Sequence, residues 1–328
     1  PERPEAWREA ARLMRERELW SAAAENAKQG LMHVEDPTLR QEWALALIGE
    51  GKLDEAILQL EAYLRVRSED EDTKKILANV LVGRAYSRLQ AGRSHAEVLR
   101  IVDQALALNP NEHKAHLVLG RIAREQRRFA DAVEHLETAH RLMPEVEDAR
   151  TLLADSLRDL GMEHYLKNED VAAGDAWLRF RAVAPPSVDT DGVDVLVQAL
   201  WRRHEQRGVD RLQQQDHAGA LAEFRRCELL DSDTRAISWP YALALRHELA
   251  PEPEPENLAK LEELAREAVA WQQEHAADSG QQTCLLLETL TRRGEAGAAA
   301  ELARRWLAAE PGDAEPPVVA AIRRYADG

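Results

Sequence analysis

Apolar residues along this chain recur at intervals of three and four over almost its whole length, and the pattern resets at short polar or proline-containing breaks. That spacing collects apolar side chains on one face of a helix, and no stretch shows the alternation of a half-buried strand. The fullest example is residues 113–146, HKAHLVLGRIAREQRRFADAVEHLETAHRLMPEV. Here Leu119 and Ala123 share one face of a first helix, while Ala132, Leu136 and Ala139 share one face of a second. Gly120 and Ala132 lack bulk where the two helices must touch, so their axes can approach the lower end of the roughly 8–10 Å interaxial range. Pro144 cannot continue the second helix and ends the unit. A lone pair leaves an apolar face uncovered, so further pairs are expected to stack against it.

With His113 as position 1, the residues His116, Leu119, Gly120, Ala123, Ala132, Leu136, Ala139 and Pro144 fall at 4, 7, 8, 11, 20, 24, 27 and 32. This spacing resembles the tetratricopeptide repeat, a helix-turn-helix unit of about 34 residues. The resemblance extends along nearly the whole chain. A first repeat starts at Pro4 with Trp7, Ala10, Ala11, Met14, Ala23, Ala27 and Gly30, and has Glu35 where proline often sits. A second starts at Pro37 with Trp43, Ala44, Leu47, Ala56, Leu60 and Tyr63, succeeded by an acidic connector, Ser68 to Thr73, that offers capping residues. The third is read from Ile76 with Val82, Gly83 and Tyr86, resuming at Val98, Val102, Ala105 and Pro110 after about three extra residues in the turn.

After the central repeat, EVEDARTLL adds roughly two helical turns before a fifth repeat from Ala154, with Gly161, Ala173, Trp177, Phe180 and Pro185. Pro185 and Pro186 break the chain, and Ser187 or Asp189 can cap the next helix. DVLVQAL leads into a sixth repeat from Trp201, with Gly208, Ala220, Phe224 and Cys227. A looser seventh pair covers Pro240 to Leu249 and Asn257 to His275, with Pro251 to Glu256 (PEPEPE) expected to be extended and exposed. An eighth starts at Gly280 with Leu286, Leu287, Leu290, Ala299, Ala303, Trp306 and Pro311, and Pro316 to Tyr325 reads as a closing helix. The resemblance implies an all-α, right-handed α-solenoid of about seven or eight helix pairs, with five repeats in residues 1–187 and a continuous second array with its capping helix in 188–328.

Composition narrows the function. The net charge of −16 opposes general affinity for nucleic-acid backbones or acidic membranes. No run reaches the 18 or so apolar residues of a membrane span. PERPEAWREA lacks the basic and apolar regions of a secretory signal. A cytoplasmic location is expected, or a periplasmic one if a leader or anchor ahead of Pro1 was removed. Abundant Ala and Arg with few Lys resemble a bacterial protein from a GC-rich genome. Cys227 and Cys284 fall in different repeats, which argues against a disulfide between them.

Candidate chemistry is sparse. His113 and His116 are three apart, but no HExxH occurs, and DTDGVD at 189–194 has its glycine misplaced for a calcium loop, so its aspartates read as helix-capping residues. There is no phosphate loop or nucleophile elbow, and Cys284 has no evident histidine base. The chain is expected to be non-catalytic, with no cofactor or metal. Trp7, Trp43, Trp177 and Trp306 land on packing positions and read as core.

In tetratricopeptide arrays, positions 2, 5, 9 and 12 of each first helix face the concave side where peptides dock. The resemblance places Arg8, Arg12, Arg15, Arg84, Arg121, Arg124 and Arg158 there, with Leu45, Ile48, Val80, Leu117, Met162, Tyr165, Val209 and Leu212 as apolar neighbours. Taken singly, each arginine reads as a solvated or internally paired surface residue. Taken together, Arg8, Arg12, Arg84, Leu117, Arg121, Arg124, Arg158, Met162 and Tyr165 form a candidate groove for a protein or peptide with acidic and apolar residues. The resemblance therefore implies an interaction scaffold or adaptor. The alternatives are a structural subunit of an envelope, secretion or pilus assembly that uses its convex face or ends, and a regulatory arm of an enzyme whose catalytic domain lies elsewhere. The clamp by which some family members hold chaperone C-termini needs Lys and Asn at positions 5 and 9, where this chain has Arg8 and Arg12, or Val80 and Arg84.

Overall fold

Helices of 11 to 23 residues joined by short turns account for most of the chain. The computed structural model describes residues 3–231, 233–249, 253–274, 280–309 and 316–327. Among these residues there are seventeen α-helices and no strand: α1 Pro4–Glu16, α2 Trp20–His33, α3 Pro37–Gly49, α4 Leu53–Leu64, α5 Glu71–Gln90, α6 His95–Leu108, α7 His113–Glu125, α8 Phe129–Leu142, α9 Glu147–Leu166, α10 Asp170–Val183, α11 Asp191–Gln213, α12 His217–Leu230, α13 Ser238–Glu248, α14 Pro255–Glu274, α15 Gly280–Arg292, α16 Ala296–Ala308 and α17 Pro316–Asp327. Contacts divide the chain into two units, residues 1–168 with 175–189, and residues 169–174 with 190–328. Within the first, each helix from α1 to α9 packs on the next, and α5, α7 and α9 also touch in succession. Within the second, α11 to α17 do the same, and α17 closes on α15 and α16 with Ile322 buried. Such nearest-neighbour packing is that of a helical-repeat solenoid.

One register recurs through the pairs. Seven turns pass through a single residue at positive φ: Glu18, Gly51, Gly92, Arg127, Asn168, Gln215 and Gly294. Seven residues before each of these stand Ala11, Ala44, Ala85, Gly120, Gly161, Gly208 and Leu287, all buried. On the second helix the answering residues are Ala27, Leu60, Val102, Leu136, Trp177, Phe224 and Ala303, none with measurable exposure. The two largest answering side chains, Trp177 and Phe224, face glycine, as does Leu136, whereas in the pair with Leu60 the position is Ala44. A Cβ on Gly161 would stand 2.2 Å from Trp177 Nε1, one on Gly120 2.5 Å from Leu136 Cγ, and one on Gly208 2.5 Å from Phe224 Cε1. The α13–α14 connection has no positive-φ residue among the described residues, which sets the seventh pair apart.

The third repeat departs from the register read in the sequence. A Cβ on Gly83 would meet only Leu53 Cδ1, at an ordinary 3.6 Å, so Gly83 is not the close-approach residue. Ala85 is, seven before Gly92, which moves the repeat two residues on and leaves only one extra residue in the turn. Val80, expected to line a groove, is consequently buried at 4% exposure. Elsewhere the lead-ins extend helices as expected: α9 begins at Glu147 and α11 at Asp191, directly after Thr190 and not after Ser187 or Asp189. In the seventh pair, Pro255 and Glu256 open α14 instead of continuing an extended segment, since proline suits a helix's first turn. Pro251 and Glu252 of that segment, His275 of that helix and Pro311 of the eighth repeat lie outside the described residues.

Polar bonds fix α5 against its neighbours. Asp70 precedes α5 and accepts from the Thr73 amide at 3.0 Å and from the Tyr63 hydroxyl of α4 at 2.6 Å. The Thr73 hydroxyl, fully buried, accepts from Gln41 Nε2 of α3 at 2.6 Å and donates to Asp70. The Tyr63 hydroxyl and the Thr73 amide hold the Asp70 carboxyl below its ordinary range. Farther along, Arg150 of α9 donates to the Val183 and Ala184 carbonyls that end α10.

These contacts can be tested by substitution. Gly161→Ala, normally a gain of about 1 kcal/mol in a helix, should instead cost about 1–2 kcal/mol because it overpacks Trp177. Urea unfolding midpoints will show this, and the penalty should shrink in a Trp177→Leu background. Arg127→Gly should stabilise by about 0.5–1 kcal/mol by relieving the left-handed backbone, net of the greater freedom of glycine when unfolded. Asp70→Ala should cost about 1–2 kcal/mol at neutral pH through the lost cap. Because folding lowers this carboxyl's pKa, its contribution is complete above the ordinary carboxylate range and fades as pH falls through the folded value. The difference between parent and variant, measured by thermal denaturation across pH 7 to 2, should therefore close on the acid side.

Candidate functional site

The first helices of three successive repeats enclose a cleft of about 600 Å³ in the first unit. Its floor is Val82 of α5, Leu117 and Val118 of α7, and Leu152 of α9. Gly83, Tyr86, His113, Lys114, Arg121, Val146, Asp148 and Thr151 complete the lining. The cleft has a simple origin. α7 starts at His113 and is 13 residues long, whereas α9 is 20 residues long and enters two turns early. That early stretch, Val146 to Leu152, supplies the wall across from α5.

The polar groups of the cleft are unevenly committed. Arg121 Nη1 donates to the Tyr86 hydroxyl at 3.4 Å, and its guanidinium lies 5.9 Å from the centre of the Tyr86 ring. Among the described residues Arg121 forms no ion pair. Lys114 Nζ donates to Asn79 at 3.0 Å, and Asp148 stands in the first turn of α9, where the helix dipole favours a negative charge. Cations therefore cluster on the α7 side of an apolar floor, with one carboxylate opposite them.

Of the residues singled out in the sequence, the structure brings Leu117 and Arg121 into this cleft and distributes the others. Arg8 pairs with Asp36 at 3.1 Å, and Arg12 with Glu9 at 2.9 Å. Arg15 meets Glu42 at 3.0 Å. Arg124 lies 3.0 Å from Asp159 and 3.6 Å from Asp155, and Arg158 takes Asp155 at 2.8 Å. Arg84 turns to the other flank of α5 and sits 2.8 Å from Asp54. Met162 is half-buried, and Tyr165 packs its ring 5.6 Å from that of Trp177. The positive stripe is thus largely neutralised by the chain's own carboxylates.

Val82 and Tyr86 escape a template laid on Gly83, because that template runs two residues early in the third repeat. With Ala78 as position 1 they fall at positions 5 and 9, just as Leu117 and Arg121 do in the fourth. The signal that finds them is Gly92, whose turn fixes Ala85. Lys114 stands at position 2 of the fourth repeat, and Asp148, Thr151 and Leu152 belong to a lead-in that the repeat template does not number.

The other chemical candidates have structural surroundings. Neither cysteine is in a disulfide. Burial, with Glu205 and Glu223 nearby, pushes the Cys227 thiol up to about 12, so it is no nucleophile near neutral pH. His116 lies 3.3 Å from the Pro110 carbonyl and 5.8 Å from the His135 ring. Among the described residues no group of three or more His, Cys, Asp or Glu is placed to hold a metal ion. No helix there is long and apolar enough to cross a membrane. Trp177 is wholly buried, and Trp306 nearly so.

No family model matches the chain, and no curated protein does. Among solved structures it is similar to MamA, residues 41 to the end, from Desulfovibrio magneticus RS-1, at 16% identity, covering 57% of this chain and 97% of that one with a TM-score of 0.38. It is similar to a tetratricopeptide repeat protein from Parabacteroides merdae at 13% identity over 98% of both chains, with a TM-score of 0.37. It is also similar to the TPR2AB domain of yeast Sti1 in complex with pHSP90, at 13% identity over 99% of this chain and 96% of that one, with a TM-score of 0.32. What places the chain among helical-repeat proteins is its own geometry, seven turns in one register, six of them with a small residue facing the second helix, and in this its pairs resemble the tetratricopeptide unit.

Proposed function

We propose that this chain is a non-catalytic interaction protein whose first unit holds an extended segment of a partner protein in the cleft between α5, α7 and α9. The segment would place an apolar side chain over Val82, Leu117 and Leu152 and an acidic side chain against Arg121, with Lys114 adding to the field. The observation that carries this reading is Arg121 itself. Each of the other arginines assigned to the groove meets a carboxylate of its own chain, whereas among the described residues Arg121 is held by a tyrosine, beside an apolar recess, and by no carboxylate. An arginine so placed can exchange a neutral acceptor for a ligand carboxylate, and a hydrogen bond to a charged group is worth about 1.5–3 kcal/mol. The apolar floor supplies area, and Arg121 sets where along the segment the acid must fall.

The test is selection of 12-residue peptides from a random display library on the full chain, with fluorescence anisotropy then measured on the enriched sequences. Enrichment should favour peptides pairing a large apolar residue with Asp or Glu. Arg121→Glu should weaken their binding at least tenfold, while Arg158→Glu, at an arginine already paired with Asp155, should weaken it far less. Equal affinity for the parent and Arg121→Glu, or equal losses in the two variants, would remove the cleft from consideration.

A further inference from the structure

On the flank of α5 away from the cleft lies a second opening of about 380 Å³, lined by Gly51, Leu53, Asp54, Arg84, Ser87, Arg88, Ala91 and Arg93. We propose that it is a carboxylate-exchange site, at which an acidic side chain of a partner protein displaces Asp54 from the arginines. The site is independent of the cleft, because α5 gives Val82 and Tyr86 to one opening and Arg84, Ser87 and Arg88 to the other.

Three features support this. The first is charge. Arg84 and Arg88 are one helical turn apart, a like-charge spacing that costs stability unless it is answered. Arg93 extends from the turn set by Gly92, and its side chain forms no ion pair among the described residues. Against these three cations stand two carboxylates, Asp54 and Glu97, the latter 2.5 Å from Arg88. The opening is therefore one negative charge short of neutral, in a chain whose net charge is −16.

The second is how loosely the resident carboxylate is held. Asp54 is 67% exposed, lies 3.9 Å from Arg88, and approaches Arg84 Nε to 2.8 Å. Arg84 Nε is shielded from solvent, yet the approach is not aligned as a hydrogen bond, so this donor lacks a proper acceptor. An exposed ion pair of this kind contributes at most about 1 kcal/mol, so replacing it is inexpensive. A ligand carboxylate arriving in line with Nε would gain the bond that Asp54 does not make.

The third is the neighbouring helix end. Leu53 and Asp54 are the first residues of α4, so the opening lies at the positive end of that helix, and Ser87 adds a hydroxyl. Asp54 itself indicates which chemistry fits, because the arginines already accommodate a side-chain carboxylate. A partner's Asp or Glu has the same head group, and it restores the missing charge when Asp54 swings out to solvent without leaving the chain.

The experiment uses the full chain and N-acetyl tri-aspartate amide as the probe, with tri-asparagine as the neutral control and inorganic phosphate as the competing anion. Titration is monitored through the arginine Nε–Hε resonances, assigned by Arg84→Lys and Arg88→Lys. Tri-aspartate should shift both resonances saturably while tri-asparagine does not. Asp54→Asn should tighten tri-aspartate binding at least threefold, and Arg93→Ala should weaken it at least threefold. Unchanged or weaker binding in Asp54→Asn would overturn the proposal, as would unchanged binding in Arg93→Ala, whose exposed turn position leaves the fold intact. Shifts produced by phosphate but not by tri-aspartate would overturn it too, since the site would then be one for small anions. The probe needs no cleft-binding peptide, so failure here and failure of the cleft are separate results.

Discussion

In six of the helix pairs the spacing is set where a small residue on the first helix meets a side chain on the second, and the rest of the structure depends on that contact. Seven buried positions in identical register carry it, and their sizes answer one another. Glycine faces Leu136, Trp177 and Phe224, whereas alanine holds the position in the pairs carrying Ala27, Leu60 and Val102. In the last such pair the order reverses, with Leu287 on the first helix and Ala303 on the second. The two largest of these side chains, Trp177 and Phe224, both meet glycine, which is what close packing requires of an interior with few voids. Because each pair touches only its neighbours, an error at one such contact is felt locally and is not averaged over a central core.

That locality explains why charge is consumed so close to where it is placed. The arginines of the first helices are answered from no farther than the next first helix: Arg8 by Asp36, which precedes α3, Arg84 by Asp54 of α4, Arg124 by Asp155 and Asp159 of α9, and Arg158 by Asp155 of its own helix. With 59 acidic residues against 43 basic ones, carboxylates outnumber cations. Two arginines beside α5 nevertheless form no ion pair among the described residues. Arg121 rests on Tyr86, and Arg93 extends from a turn, and each marks an opening beside α5. α5 in turn is held by Asp70, Tyr63, Thr73 and Gln41, a polar cluster joining three helices, so both openings share one firmly fixed wall.

Much of the fold is legible because its period is written in small residues and prolines. Gly120, Gly161 and Gly208 each have one structural reading, and the pairs containing them fall where the sequence puts them. The third repeat is misread from sequence because it contains a glycine, Gly83, two residues before the alanine that makes the contact, and a residue type alone cannot say which of two small side chains meets a neighbour. Turn geometry can, through Gly92. The candidate site is less legible for a different reason. Position along a repeat predicts which way a residue points, but not whether another helix offers it a carboxylate, and the aspartates that neutralise Arg124 lie on α9, Asp155 and Asp159.

The cleft itself comes from a departure from the repeat, and this is its deepest dependence on sequence. An array of identical 34-residue units would lay equal helices side by side and leave a smooth surface. Here α7 keeps the short length of the unit while α9 begins seven residues early, so Val146, Asp148, Thr151 and Leu152 project past the start of the repeat and wall off a recess beside Leu117 and Arg121. The close-approach contact of that pair is made by Gly161 and Trp177, more than a turn farther on. Residues that precede the repeat's own first position, placed against an arginine with no ion pair among the described residues, are where this scaffold departs from pure architecture.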